Sequence, residues 1–93
     1  MFDRILKEMR DKIRERKYVM SIHAEEEMND DCLSIYDVER GILTGKIVER
    51  QKDKITAERK YRITGQTVDV REVEIIAKLS PTGKLIILTV YVP

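Results

Sequence analysis

The sequence contains one cysteine and one histidine, and it has no tryptophan. Because a single cysteine cannot form a disulfide within the chain, Cys32 is typical of a protein kept in a reducing cytoplasm. One histidine and one cysteine are also too few for a familiar zinc site. We therefore expect neither a metal nor a cofactor.

A long apolar run and an excess of charge of one sign are also missing. No stretch is long enough to span a bilayer, and the N-terminus has no secretory apolar segment, so we expect a cytoplasmic protein without a membrane partner. The 18 basic and 17 acidic residues leave a net charge of +1, so the protein as a whole has no field that attracts nucleic acid. Binding of RNA would need a local basic patch.

The length of 93 residues suits one domain with one core. Apolar residues recur at helical spacing along residues 1–17, and Ser21 and Ser34 each provide an N-cap for a further helix. Asp37, three residues after Ser34, predicts a capping box in which Asp takes the place of Glu. The period changes near Gly45, which is a candidate C-cap able to adopt positive φ. We predict a single α+β domain, with helices in residues 1–45 packed on one face of an antiparallel sheet of about four strands in residues 46–93.

The strand signals are strongest near the C-terminus. Residues 72–79 alternate between apolar and polar side chains, and residues 84–92 are apolar almost throughout. The segment Ser80–Gly83 predicts a turn between them, because its proline fixes φ and its glycine permits positive φ. The last two strands should therefore form a hairpin. The predicted core contains apolar residues of the helices and of the sheet: Ile5, Met9, Ile22, Val38, Ile75, Ala77, Ile87 and Leu88.

His23 is the first candidate for chemistry, because it lies in the first turn of the helix that Ser21 caps. Amides and the positive end of the helix dipole favour an anion at this position. The ordinary pKa of histidine also lies near neutrality, which suits an acid–base group. A structural cap is the more frequent role of such a histidine, and both interpretations stay open.

A basic segment is the second candidate. Residues 46–62 contain seven basic and three acidic side chains, which gives this segment a net charge of +4 in a nearly neutral protein. A surface that binds phosphate could form there, with Lys54, Lys60 and Arg62 as RNA contacts. Cross-strand ion pairs with Glu72 and Glu74 explain Lys60 and Arg62 equally well.

Several blocks of sequence carry a resemblance to a known family. They are Ser21-x-His23-Ala24, Leu33-Ser34-x-x-Asp37-Val38, Gly45-Lys46-Ile47-Val48-Glu49, Arg59-Lys60-Tyr61-x-Ile63-x-Gly65, Val73-Glu74-x-Ile76-x-Lys78 and Gly83-Lys84-Leu85-x-Ile87-x-Thr89-Val90-Tyr91. In order and spacing these blocks resemble the bacterial and archaeal domain-of-unknown-function family 4258, from about Tyr18 to Tyr91. That family in turn resembles the compact toxin-type fold of RelE and barnase, in which helices precede an antiparallel sheet.

The resemblance implies a metal-independent ribonuclease of a toxin–antitoxin type system. Such an enzyme needs an acid–base group, a cation for the phosphorane and a proton donor for the leaving oxygen. His23, Arg59 and Tyr91 are the candidates for these three roles. RNA or the ribosome would be the target, and a small antitoxin-like protein would be the partner.

The second helix departs from the family pattern. Many members have arginine where this chain has Glu27 and Asp31, and carboxylates at these positions would repel a phosphate backbone. This departure favours an alternative function, in which a catalytically inactive module with the same fold binds a protein through its acidic helix. The oligomeric state cannot be inferred from the sequence.

Overall fold

The computed structural model describes residues 2–93. Over this range the chain forms three helices and five strands. In chain order they are α1 (Asp3–Arg14), β1 (Tyr18–Met20), α2 (Ile22–Asp30), α3 (Ile35–Thr44), β2 (Lys46–Lys52), β3 (Arg59–Gln66), β4 (Glu72–Leu79) and β5 (Leu85–Tyr91). The α+β class is confirmed.

The strands form one mixed sheet in the order β1-β5-β4-β3-β2. Strands β2 to β5 pair antiparallel with their neighbours, whereas β1 pairs parallel to β5, with Tyr18 opposite Leu85 and Met20 opposite Ile87. The prediction of about four antiparallel strands is therefore corrected to five strands in a mixed sheet. The sequence does not predict β1, because the three residues Tyr18–Met20 are too few to display an alternating pattern. Its pairing depends on the free edge of β5, which lies more than 60 residues away.

The predicted hairpin between the last two strands is confirmed. Leu79 pairs with Leu85, and the turn between them is closed by a hydrogen bond from the Gly83 amide to the Ser80 carbonyl at 3.0 Å. Gly83 has φ of 84°, a conformation in which side chains with a Cβ are strained. The turn is thus encoded by the residues within it.

Both serine N-caps are present. The Ser21 hydroxyl accepts a hydrogen bond from the Ala24 amide at 3.0 Å, which starts α2. At the start of α3, the Ser34 hydroxyl accepts from the Asp37 amide at 3.3 Å, and the Asp37 carboxylate accepts from the Ser34 amide at 2.9 Å. This reciprocal arrangement is the capping box expected from the sequence. The buried Asp37 carboxylate also accepts from the Val68 amide at 3.0 Å, so it joins α3 to the β3–β4 loop.

Asp37→Ala is expected to lower the free energy of unfolding by about 2–4 kcal/mol, because it removes a helix cap and leaves two amides without their acceptor. Hydrogen bonds from the Ser34 amide hold the pKa of Asp37 below its ordinary value of 3.8, despite burial. The carboxylate therefore stabilises the fold above that pH and stops doing so as the pH falls through its folded pKa. Urea titrations at pH 7 and pH 3 should show a difference between wild type and variant that shrinks in acid. The exposed Asp30→Ala is the control, and equal losses for the two variants at pH 7 would contradict the capping role.

Gly45 ends α3 for a reason that differs from the prediction. Its φ of −87° and ψ of −178° are extended, so the expectation of positive φ is wrong. A Cβ on this residue would lie 2.4 Å from the Gly41 carbonyl oxygen and 2.7 Å from that of Thr64, which shows that the glycine permits close approach of two backbones. The Gly45 carbonyl accepts a hydrogen bond from the Arg10 side chain of α1 at 2.8 Å. A tertiary contact thus replaces the local cap.

Most of the predicted core is buried between the helices and one face of the sheet. Met9, Val38, Ile75, Ala77 and Ile87 are inaccessible to solvent, and Ile5 packs partly buried against them. No helix among residues 2–93 has both the length and the apolar character to cross a membrane.

Two members of the predicted core are exceptions. Ile22 is 76% exposed, so its assignment to the core is wrong. Leu88 is only partly buried because it is the extra residue of a β-bulge: Ala77 pairs with Ile87, while the neighbouring Ile76 pairs with Thr89. The bulge shifts the alternation along the rest of β5.

Candidate functional site

The two faces of the sheet differ in their surroundings. Along β3, the side chains of Tyr61 and Ile63 are buried against the helices, whereas Lys60, Arg62 and Thr64 are only partly buried. Because successive side chains of a strand point to opposite faces, the second set shares the face that the helices leave uncovered. We call it the open face.

Three strands bring four polar side chains together on the open face. Thr64 of β3 pairs with Glu74 of β4, and Glu74 pairs with Tyr91 of β5, so these residues form one row across the sheet. Arg62 reaches this row from two residues earlier in β3: its Nη1 lies 2.5 Å from Glu74 Oε1, and Thr64 Oγ1 lies 3.3 Å from the same oxygen. We refer to Arg62, Thr64, Glu74 and Tyr91 as the row cluster.

Within the row cluster, the pKa values of Glu74 and Tyr91 are shifted in opposite directions. A hydrogen bond with the Tyr91 hydroxyl, reinforced by Arg62, lowers the pKa of Glu74 from its ordinary value of 4.5, although burial opposes this shift. The same hydrogen bond, together with burial, raises the pKa of Tyr91 from its ordinary value of 10.0. At neutral pH the glutamate is therefore ionised and the tyrosine keeps its proton. The Glu74 side chain is only 12% exposed, so its charge is weakly screened by solvent.

Arg62 provides the positive charge of the row cluster. Besides its contact with Glu74, its Nη2 lies 3.7 Å from the Glu49 carboxylate on β2. The cross-strand ion pair considered in the sequence analysis is therefore present. The guanidinium remains 31% exposed, so an anion on the open face can reach it.

His23 lies beside the edge of the sheet. Its side chain is 67% exposed, and its Nε2 is 3.1 Å from Glu27 Oε1. The same carboxylate oxygen accepts a hydrogen bond from the Val90 amide at 3.3 Å. Glu27 therefore links His23 to Val90, the residue before Tyr91. Its role in catalysis stays a prediction.

The structure does not bring Arg59 to the row cluster. Arg59 is the first residue of β3, five residues before Thr64, which corresponds to about 17 Å along the strand. By the same alternation it shares the helix-covered face with Tyr61, whereas Tyr91 lies on the open face. The structure therefore does not place Arg59 and Tyr91 on the same face of the sheet, and a catalytic role of Arg59 stays a prediction. Of the predicted RNA contacts, Lys60 lies on the open face, two residues before Arg62 in β3.

Lys54, the remaining predicted RNA contact, lies in the loop between β2 and β3 and is exposed. Its role stays a prediction.

The two acidic residues that depart from the family pattern have a structural role. Strand β1 covers the edge of β5 only from Leu85 to Ile87, so the amides beyond this point need other acceptors. Glu27 accepts from the Val90 amide at 3.3 Å, and Asp31 accepts from the Val92 amide at 3.2 Å. These carboxylates therefore attach α2 to the edge of the sheet.

Glu74 and Thr64 are the members of the row cluster that the sequence analysis did not assign to the site. The alternating pattern of β3 and β4 was a signal that Arg62 and Glu74 can meet across two strands. The register that also aligns Tyr91 with them depends on the bulge at Leu88.

Among residues 2–93, no three His, Cys, Asp or Glu side chains are arranged so that they could hold a metal ion. Comparison with curated proteins and with solved structures finds no match for this chain. A family model described as a domain of unknown function, DUF4258, matches residues 20–92. The match covers both N-caps, the row cluster and all five strands except the first two residues of β1. The chain therefore belongs to the DUF4258 family.

Proposed function

We propose that the protein is a metal-independent ribonuclease whose reacting groups are Arg62, Glu74 and Tyr91. One observation carries this proposal: on an accessible sheet face, an ionised carboxylate contacts a guanidinium and a threonine hydroxyl and pairs in the strand register with a tyrosine. A base, a cation and an acid on one accessible surface are the groups that the transfer of a phosphoryl group to the neighbouring ribose hydroxyl uses.

The reaction proceeds by attack of a ribose 2′-oxygen on the adjacent phosphorus. Glu74 takes the proton of the 2′-hydroxyl as the O2′–P bond forms, and Arg62 stabilises the charge on the phosphorane oxygens. The P–O5′ bond then breaks, and Tyr91 donates its proton to the leaving O5′. Because the register places Tyr91 opposite Glu74, the proton gained by the carboxylate returns to the tyrosine oxygen after the products leave. The products are a 2′,3′-cyclic phosphate and a 5′-hydroxyl end.

Neighbouring residues supply further contacts in this proposal. Lys60 is two residues from Arg62 on the same face and can bind the next phosphate of the RNA. Lys54 can contact the RNA chain where it continues beyond Lys60. His23 borders the β5 edge, where it can assist proton transfer at the leaving group. The helices on one face of the sheet and the polar open face support a RelE-like architecture. A toxin–antitoxin role, with a small protein inhibitor in the cytoplasm, is part of the same proposal.

An oligonucleotide with a single reactive position tests the proposed activity. The substrate is a DNA oligonucleotide with one internal ribonucleotide, incubated with the protein in the presence of a chelator. Cleavage is expected only after the ribonucleotide, and mass spectrometry should find a cyclic phosphate on the 5′ fragment. The all-deoxy oligonucleotide is the control because it has no 2′-hydroxyl. An intact ribonucleotide strand, or a linear 5′-phosphate product, would reject this mechanism.

A second candidate function is a catalytically inactive module that binds a protein. Ile22 favours it, because a side chain that is 76% exposed next to the carboxylate of Glu25 offers a partner both apolar and charged contacts. Glu27 and Asp31 contribute less to such a surface than the sequence suggested, since both are used by the β5 edge. If the strand with one ribonucleotide stays intact, this candidate becomes the preferred function.

A further inference from the structure

A cleft of about 520 Å³ adjoins the row cluster on the open face. It lies where β2 begins, β3 ends and β4 begins, at the C-terminal end of α3. Its lining includes Lys46, Thr64, Gln66, Val70 and Glu72. Thr64 belongs to both the cleft and the row cluster, so a ligand in the cleft would contact the reacting groups.

Two of the polar side chains that line the cleft form a cross-strand pair that is available for a ligand. Gln66 and Glu72 face each other in the β3–β4 register, two residues beyond the pair formed by Thr64 and Glu74. They are therefore on the open face, about 7 Å from the row cluster along the strands. No ion pair formed within residues 2–93 involves Glu72, in contrast to Glu74 in the same strand. Both Gln66 and Glu72 are exposed.

One wall of the cleft is apolar. Val70 has φ of 67°, a conformation that is rare for a β-branched residue, and its side chain is 69% exposed. The loop that presents it is held by the Thr67 hydroxyl, which accepts from the Arg71 amide at 2.9 Å, and by the hydrogen bond between the Val68 amide and Asp37. Val70 therefore offers a planar ring in the cleft an apolar surface to pack against.

We infer that this cleft binds the base of the nucleotide whose 2′-hydroxyl attacks, and that the preferred base is guanine. This inference rests on the proposed ribonuclease function. The proposed base, Glu74, is on β4 and the proposed acid, Tyr91, is on β5, so the attacking nucleotide lies on the side of β4 and β3. That side contains the cleft. A phosphate held by Arg62 and a base held by Gln66 and Glu72 are then about one nucleotide apart.

The chemistry of the lining selects the base. A carboxylate only accepts hydrogen bonds and has two oxygens to do so, and single-stranded RNA exposes the Watson–Crick edges of its bases. Guanine has two adjacent donors on that edge, N1–H and N2–H, which match the two oxygens of Glu72. Its neighbouring O6 matches the amide donor of Gln66. Adenine and cytosine offer one amino group next to an acceptor that faces the carboxylate, and uracil has no amino group at all.

The test measures binding and cleavage separately. Isothermal titration calorimetry with the four nucleoside 3′-monophosphates should give an affinity for the guanosine compound that is about tenfold or more above the other three. Four DNA strands that differ only in their single ribonucleotide should show the same preference in cleavage rate. Glu72→Gln should reduce both quantities for guanine to the level of the other bases and leave those bases within about threefold. Glu8→Gln, the same change on an exposed residue of α1, is the control.

The outcomes separate this inference from the function on which it rests. Equal affinities for the four monophosphates, or a guanine preference that survives Glu72→Gln, would overturn the base site even if every strand is cut. Selective binding that depends on Glu72, with no cleavage, would support the base site and reject the ribonuclease. Preference for guanine in both measurements, lost in Glu72→Gln and kept in Glu8→Gln, would support both.

Discussion

Glu74→Gln is expected to slow RNA cleavage by about 10²–10⁴-fold, the contribution typical of a positioned acid–base group. Glutamine has the same length and still accepts hydrogen bonds from Arg62 and Thr64, but it cannot take up the proton of the 2′-hydroxyl. The measurement is kcat on the strand with one ribonucleotide. Glu58→Gln is the matched control, because Glu58 accepts from Lys78 at 2.8 Å in another ion pair and lies outside the row cluster.

The Glu74 variant should remain folded, because the neutral amide replaces the carboxylate without a change in volume. Thermal melts of both variants check this point before their rates are compared. A rate for Glu74→Gln within about threefold of that of Glu58→Gln would remove Glu74 from the mechanism, since a general base should contribute far more than that.

The pH dependence follows from the directions of the two pKa shifts. A lowered pKa keeps Glu74 ionised at neutral pH, so kcat/KM should fall only in acid below about pH 4.5. A raised pKa keeps Tyr91 protonated, so the alkaline decline should lie above pH 10.0. An acid limb well above pH 4.5 would instead show that a group other than Glu74 is the base. The profile of kcat/KM thus tests the assignment of the base to Glu74.

Gly65→Ala is expected to destabilise the protein by about 3 kcal/mol or more, the upper end of what overpacking costs. A Cβ on Gly65 would lie 1.9 Å from the carbonyl oxygen of Gly41 and 2.7 Å from its carbonyl carbon. These are backbone atoms of α3, so no side chain can rotate away to make room. The helix would have to move off the sheet and lose part of the core contact of Ile42 and Val38.

A second glycine gives the matched control. Gly83→Ala introduces the same methyl group at φ of 84°, but the nearest atom to it is the flexible end of Lys12 at 3.7 Å. The expected cost there is only the backbone strain of about 1–2 kcal/mol. Urea unfolding of both variants measures the difference. A smaller loss for Gly65→Ala than for Gly83→Ala would mean that α3 does not pack against β3 at this distance.

Features that depend on a few neighbouring residues followed from the sequence alone. The capping box of Ser34 and Asp37, the N-cap of Ser21 and the turn that ends in Gly83 were each predicted and are present. Their hydrogen bonds span at most four residues, so the local chain contains all the groups that form them. The core positions of β4 were predicted for a similar reason, because alternation with a period of two is visible within one strand.

The candidate site depended on the tertiary structure. Thr64, Glu74 and Tyr91 are separated by ten and seventeen residues along the chain, and only the register of three strands aligns them. A shift of one residue would move a strand's side chains to the opposite face, and the bulge at Leu88 introduces such a shift in β5. The sequence gives no local sign of that bulge, because Leu85–Val92 is apolar throughout except for Thr89.

The same distinction explains the acidic helix and the fifth strand. The sequence alone established that the second helix is rich in carboxylates, but the partners of Glu27 and Asp31 are the amides of Val90 and Val92, more than 60 residues away. Tyr18–Met20 likewise has a partner strand only because β5 has a free edge there. Local hydrogen bonds and periodicity therefore determined the helices, the turns and the strands other than β1. Long-range pairing of the strands decided which charged side chains stabilise the sheet edge and which remain available on its open face.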